Sequence, residues 1–475
     1  MKKIIWFVVC LLCVISANAQ RDEEEIDPLF AEAGAKYDNN DYVNSYKLYT
    51  QYLIKHPKSG SAYYNRGLCS YRADDYTNGI KDFNKALFYG GTKHKSYYML
   101  GQCYFFLDNL ETALANYDSA LMLKPNYVKA LSGKGDILSR LDRNKESVTF
   151  LDKAIALDST YTTAYYYRAL SHYRLHEYEA ALVDCNKGMT TEDDYDAYYW
   201  RARIYQRLER WPESITDFDT LIAHNPKYAL AYSFRGTSYA ALEKDDKALS
   251  DNNKAIELDP SNKDAYFNRA MLLHIAGKYK EAEPDFNAVI ALGGKLVNDY
   301  LYRGVNAYYL KKYSDAIQDI NIAVQKEKNS DTYFYRALCN YELKEYASSI
   351  EDYTNSLGFD KNYDTYYQRA LSKVALKDHT GALADFNESL KMEPEYESAL
   401  YERGMLYVTL GKHNLALTDF NKNIELDPKD DEALYQRGKL KKLLNDAAGS
   451  CADLKQAKLL GNKDAINELS RNGCK

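Results

Sequence analysis

Residues 63–86 read YYNRGLCSYRADDYTNGIKDFNKA, residues 266–289 read YFNRAMLLHIAGKYKEAEPDFNAV and residues 366–389 read YYQRALSKVALKDHTGALADFNES. One pattern is written three times: Tyr-x-x-Arg-Gly/Ala, a polar stretch, then a close variant of Asp-Phe-Asn-Lys-Ala. Anchoring on the small residue of the Arg-Gly/Ala step extends it in both directions, to Ala33, Gly67, Gly101, Gly135, Ala169, Ala202, Gly236, Ala270, Gly304, Ala337, Ala370, Gly404 and Gly438. The spacing is 34 residues nine times and 33 residues three times, so thirteen copies fill the chain from about Ile26 to Gly461. A fixed period of this size decides the architecture. A single copy cannot bury its own apolar face, and neighbours must stack to make a continuous core.

Within the seventh copy the small or apolar positions are Ala231, Tyr232, Gly236, Tyr239, Leu242, Ala248, Ala255 and Ile256. Those are helical spacings on two helices, parted by the polar turn Glu243 to Asp246. Small residues at the Gly236 and Ala248 positions let two backbones come close. Pro57, Pro125, Pro226, Pro260, Pro394 and Pro428 share one register, just beyond the second helix, where proline ends it. This period and pattern resemble the tetratricopeptide repeat, a helix-turn-helix unit, over nearly the whole chain. The resemblance implies an all-α, right-handed superhelical solenoid of about thirteen such repeats with a C-terminal capping helix. The expected layout is a signal peptide at 1–19, an acidic leader at 20–27, the repeats at 28–461, and a capping helix and tail at 462–475.

Lys2 and Lys3 followed by the apolar run Ile4 to Ile15 and the small residues Ser16-Ala17-Asn18-Ala19 read as an export signal, cleaved to leave Gln20. Cys10 and Cys13 raise a lipoprotein alternative, but Val9 and Leu12 stand where a small residue is needed. The periplasm is the expected location, with secretion or association with the outer membrane as alternatives. The chain carries 62 basic and 68 acidic residues, a net charge of −6 that becomes more negative without Lys2 and Lys3. Nucleic-acid binding needs a basic footprint and is not expected. No later apolar stretch is long enough to span a bilayer.

The slot before the small residue, leucine in the usual tetratricopeptide pattern, is arginine in ten repeats: Arg66, Arg168, Arg201, Arg235, Arg269, Arg303, Arg336, Arg369, Arg403 and Arg437. Sixteen residues on, the same ten carry Asp82, Asp184, Asp217, Asp251, Asp285, Asp319, Asp352, Asp385, Asp419 and Asp453. The other three lack both, having Glu32 with Leu48, Leu100 with Asn116, and Lys134 with Phe150. Antiparallel packing brings the two slots level. Repeat two is flanked by repeats without the pair, so Arg66 and Asp82 are expected to serve each other in an intra-repeat bridge.

Cys69, Cys103 and Cys339 share a first-helix register suited to packed thiols. Cys451 and Cys474 fall level on antiparallel helices, and an exported chain makes a disulfide between them the expectation. Cys451-Ala-Asp-Leu-Lys with the final cysteine resembles a closing segment of envelope repeat proteins of the Bacteroidota. No catalytic constellation is legible. His172 and His176 are spaced for a metal on one helix, without a further ligand nearby, so no metal or cofactor is expected. Gly133-x-Gly135 lacks the preceding strand of a phosphate loop.

Binding is the better reading. In tetratricopeptide proteins the first helix of each unit lines a concave groove. The slot three before the small residue faces it and carries Tyr64, Tyr98, Tyr166, Tyr199, Phe267, Phe334, Tyr367 and Tyr401, while the slot four after adds Phe105, Tyr173, Tyr308 and Tyr341. Tyrosine offers apolar area, a polar handle and a low ordering cost, which suits extended peptides or protein surfaces. The competing reading makes these rings helix-packing residues. The expected function is a non-catalytic scaffold or adaptor binding protein partners in an envelope assembly or secretion complex. The alternative is a periplasmic receptor or chaperone for extended peptides or glycans.

Overall fold

A computed structural model describes residues 27–189 and 195–471. Twenty-seven α-helices and no strand occur among the described residues. Between Pro28 and Leu460 they alternate as the first and second helices of thirteen repeats, followed by one further helix. The chain divides into two compact units, one ending at Lys244 and the other beginning at Asp245. In each unit a helix packs on the next in sequence, and first helices of successive repeats also approach one another.

The second repeat shows how the sequence builds a hairpin. Helix α3 (Gly60–Arg72) starts on Ser59, whose hydroxyl accepts from the Ala62 amide at 3.2 Å. Helix α4 (Tyr76–Phe88) starts on Asp75, which accepts from the Asn78 amide at 3.0 Å. Both caps satisfy amides that a helix start leaves free. Between them Asp74 takes the left-handed conformation at φ 57°. One such residue stands in every hairpin turn: Asn40, Asp74, Asp108, Asp142, His176, Glu209 and Glu243 in the first unit, and Gly277, Lys311, Lys344, Lys377, Gly411 and Asn445 in the second. Glycine, asparagine and aspartate tolerate this region, whereas a side chain such as that of Glu209 or Lys344 costs about 1 kcal/mol there.

The small residue that anchors the repeat faces the side chain sixteen positions on. A Cβ added to Gly67 would lie 2.9 Å from the Phe83 ring, and one on Gly101 would lie 2.6 Å from Tyr117. Gly304 meets Ile320 and Gly404 meets Phe420 in the same way. The repeat therefore trades a missing Cβ in the first helix for a large buried residue in the second. Pro57, Pro125, Pro226, Pro260, Pro394 and Pro428 each sit two residues beyond the end of a second helix.

Helix α26 (Ala447–Leu460) closes the thirteenth hairpin on α25 (Asp431–Leu443), and α27 (Lys463–Arg471) follows with Asn462 accepting from the Ala465 amide at 2.9 Å. Ala465 and Leu469 of α27 cover Leu434, Leu454 and Ala457. This helix ends the apolar stack as a terminal repeat must. Cys474 lies outside the described residues, so the expected pairing with Cys451 is not described; nor are residues 1–26, which hold the expected signal and most of the acidic leader. The thiols of Cys69, Cys103, Cys185 and Cys339 are buried. No helix among the described residues is long and apolar enough to cross a membrane.

Candidate functional site

The arginine slot and the aspartate slot meet within nine of the repeats. Arg66 Nε donates to Asp82 Oδ2 at 2.8 Å and its Nη2 to Oδ1 at 2.7 Å. The same two-bond fork joins Arg168 to Asp184, Arg201 to Asp217, Arg269 to Asp285 and Arg303 to Asp319. It also joins Arg336 to Asp352, Arg369 to Asp385, Arg403 to Asp419 and Arg437 to Asp453. Arg235 and Asp251 belong to different units, and their pairing is not described. The aspartates are buried and the guanidinium groups half-buried; Arg269 and Asp285 side chains are 25% and 6% exposed. A planar five-donor head suits this geometry better than lysine would.

The third nitrogen of each guanidinium does something the spacing alone did not reveal. Arg66 Nη1 donates to Thr50, Arg168 to Asp152, Arg269 to Asn253 and Arg403 to Asn387, each on the second helix of the preceding repeat. Every fork therefore also ties one repeat to the one before it. Repeat four lacks the arginine but keeps this link, since Lys134 reaches Asp118 at 2.5 Å while its ammonium lies 3.9 Å from the Phe150 ring centre.

On the first-helix face, the predicted aromatic residues are all half-buried. The slot three before the small residue packs on the large residue nineteen positions on. Tyr64 meets Phe83, Tyr98 meets Tyr117, Tyr199 meets Phe218, Phe267 meets Phe286, Phe334 meets Tyr353, Tyr367 meets Phe386 and Tyr401 meets Phe420, with ring centres 5.6–6.5 Å apart. Tyr166 instead lies 5.6 Å from Tyr167. The slot four after closes its own hairpin turn. Tyr173 meets Tyr178, Tyr308 meets Tyr313 and Tyr341 meets Tyr346, edge-on or tilted, and Phe105 lies under the Arg140 guanidinium at 4.8 Å. Apart from Phe105, which lies under an arginine of the next repeat, each ring thus has one flank against its own repeat while staying half-buried on the first-helix face.

The sequence reading missed a third row, two before the small residue: Tyr167, Trp200, Phe234, Tyr302 and Tyr335. These rings bridge successive first helices. Trp200 lies 5.5 Å from Tyr173, Phe234 lies 5.9 Å from Tyr199, and Tyr302 lies 5.9 Å from Phe267. The signal was available, because five repeats in the middle of the chain put an aromatic residue where the others have Ala, Asn, Met, Gly, Gln or Glu.

Two clefts open on these faces. In the first unit a cleft of about 370 Å³ is walled by Tyr64, Tyr71, Tyr98 and Tyr127, with Lys95 and Lys129 at its rim. In the second unit a cleft of about 270 Å³ lies between Tyr367 and Tyr401, with carboxylates instead of lysines. Burial pushes the Tyr367 hydroxyl up to about 12 and that of Tyr64 higher still, so both remain neutral donors. His172 and His176 are each engaged locally, to Glu177 at 2.6 Å and to the Tyr178 hydroxyl at 2.7 Å. No group of three or more His, Cys, Asp or Glu placed to hold a metal occurs among the described residues.

Family profiles described as tetratricopeptide repeat match residues 30–92, 199–263 and 367–431, residues 94–127 and 128–161, and residues 252–283. The chain is built of tetratricopeptide repeats. No curated protein matches it in sequence. Solved structures similar to it include the Cut9–Hcn1 hetero-tetramer of the APC/C, at 13% identity, covering 87% of this chain and 95% of that one with a TM-score of 0.46. Yeast Tom70 follows at 17% identity, 89% and 96% coverage and a TM-score of 0.35. YrrB, titled a TPR protein with an unusual peptide-binding site, matches at 19% identity over 39% of this chain and 97% of its own, with a TM-score of 0.37. Tetratricopeptide-repeat proteins generally mediate protein–protein interactions, and the fold is typically a non-catalytic scaffold.

Proposed function

We propose that this chain is a non-catalytic scaffold or adaptor of the cell envelope, exported by its first nineteen residues, which holds protein partners against its first-helix faces in an outer-membrane assembly or secretion complex. The supporting observation is the aromatic face itself. Its rings run through most repeats, each fixed on one flank and open on an edge, so they can accept a partner at little ordering cost. Such anchored aromatic residues are what protein interfaces use as hot spots. The envelope setting rests on the export signal and on the closing cysteine segment. In an oxidising compartment Cys451 would pair with Cys474.

The test combines location and binding. Fractionation should find the chain beyond the inner membrane with Gln20 as its first residue. A stoichiometric protein should co-purify with it, and should be lost from the Tyr166→Ala/Tyr199→Ala/Phe334→Ala triple variant while helicity persists. A cytoplasmic chain retaining Met1, or a partner that binds the folded triple variant equally well, would overturn the proposal. A heterogeneous mixture of peptides in place of one partner would point to the receptor reading.

A further inference from the structure

The acidic cleft of the second unit differs in charge from that of the first, whose rim carries Lys95 and Lys129. It lies between α21 (Tyr363–Ala375), α23 (Glu397–Thr409), α24 (His413–Leu426) and the start of α25. Glu397, Glu402, Asp430 and Glu432 line it, and no lysine or arginine does. Three of these carboxylates have a structural reason to be there. Asp430 caps α25, accepting from the Ala433 amide at 2.9 Å. Glu397 and Glu432 sit in the first turns of α23 and α25, where the helix dipole favours an anion. Glu432 is further held by Gln436 at 2.8 Å, Asn462 at 3.0 Å and the Tyr401 hydroxyl at 3.4 Å.

Glu402 has no such reason. It stands in the middle of α23, half-buried, and no hydrogen bond or ion pair reaches it among the described residues. Burial alone acts on its carboxyl, raising it above the usual carboxylate range. The same slot in the other repeats holds Ala, Asn, Met, Gly, Gln or an aromatic residue; only repeat twelve places a charge there. A second orphan lines the cleft from its other wall. Asn423 is 1% exposed, and while its Nδ2 donates to the Glu397 carbonyl at 2.9 Å, its Oδ1 is buried without a partner. Two acceptors are thus left unfilled in one pocket, between the tyrosines Tyr367 and Tyr401. Leaving a carboxylate half-buried without a partner costs stability, and the natural complement is a cation bringing several donors.

We infer that this cleft receives a cationic side chain, arginine or lysine, of a protein partner: the guanidinium or ammonium pairs with Glu402, donates to Asn423 Oδ1 and lies between the Tyr367 and Tyr401 rings. Aromatic faces attract such cations and charge-assisted bonds strengthen in a partly dry site. The volume suits one side chain more than a whole cofactor. The inference rests on the reading that first-helix faces bind partners, and it adds the chemistry that one stretch selects.

The mature chain is titrated with acetyl-arginine methylamide and acetyl-lysine methylamide, with acetyl-citrulline methylamide as the neutral counterpart of arginine, and binding is read by saturation-transfer NMR. At least one cationic probe should bind saturably, citrulline at least ten-fold more weakly, and Glu402→Gln should remove that preference. Because no partner is lost, Glu402→Gln should melt at or above the wild-type temperature at pH 7. Failure of both cations to bind, equal binding of citrulline, an unchanged preference in Glu402→Gln, or a lowered melting temperature in that variant would each overturn the assignment. A protein partner lost from the aromatic triple variant but retained by Glu402→Gln would refute this pocket and leave the proposed scaffold function standing.

Discussion

Replacing Arg269 by leucine isolates what the fork contributes. The variant loses the bonds of 2.6 and 2.7 Å to Asp285 and the bond of 2.6 Å to Asn253 on the preceding repeat. Asp285, with a side chain 6% exposed, then keeps its charge without its cation. Breaking a buried pair in this way costs about 3–5 kcal/mol. Because the arginine side chain is 25% exposed, water can enter the vacated space, and the cost should fall at the lower end, about 3 kcal/mol. Replacing Asp285 by leucine as well removes the stranded charge, leaving mainly the lost Asn253 bond, about 1 kcal/mol. A solenoid need not unfold in one step, so the fitting assay is hydrogen exchange of peptides from α15 (Lys263–Ile275) and α16 (Tyr279–Ala291). Amides there should exchange about 100-fold faster in Arg269→Leu and less than about 10-fold faster in the double variant. Equal acceleration in the two variants would refute the reasoning, since no stranded charge would then be involved.

The turns offer a stabilising change: Glu209→Gly and Lys344→Gly should each gain up to about 1 kcal/mol in thermal unfolding, because φ is +56° and +65° there, and a loss would contradict the account. Gly101→Ala should destabilise by about 1–3 kcal/mol, since its Cβ would lie 2.6 Å from the Tyr117 ring, whereas Gly34→Ala, with its nearest contact at 3.6 Å, should be neutral or stabilising by up to about 1 kcal/mol. Burial pushes the Tyr49 and Tyr335 hydroxyls from 10.0, and the Cys103 and Cys339 thiols from 9.0, up to about 12. Their folded values are raised, so the stability they contribute is complete below pH about 9–10 and is lost as pH climbs toward 12. Phenolate absorbance of buried tyrosines should therefore appear together with the loss of helicity; gradual ionisation near 10 with helicity intact would contradict this. Removing residues 462–475 bares Leu434 and Leu454 and should produce concentration-dependent self-association by sedimentation, which an unchanged monomer would disprove.

The sequence made the hairpins legible because the period, the small anchor and the prolines are one-residue signals with local causes. The Arg–Asp forks were legible too, since co-occurrence in ten repeats is a geometric statement once the helices run antiparallel. The outward arm of each arginine was not, because its acceptor varies among Thr, Asp and Asn and no single residue type marks it. The left-handed turn residue was half-visible: Asn40, Asp74, Asp108, Asp142, Gly277, Gly411 and Asn445 announce it, while His176, Glu209 and Lys344 hide it. For the aromatic rows, periodicity located the residues but could not divide packing from binding. Tyr64 and Tyr199 pack one flank on Phe83 or Phe218 and are still half-buried, so one ring is compatible with both readings. Glu402 carries no pattern in the sequence, being one glutamate among many; only its lack of a partner in three dimensions distinguishes it.

The central claim is that partners are held on the first-helix faces. It is tested most directly by placing a photo-crosslinking amino acid at Tyr64, Tyr98, Tyr166 and Tyr367, and in parallel at the exposed second-helix residues Phe88, Met122 and Phe359, and irradiating the protein in its native cells. The account predicts protein adducts from the first set and few from the second. Adducts confined to Phe88, Met122 and Phe359 would contradict it.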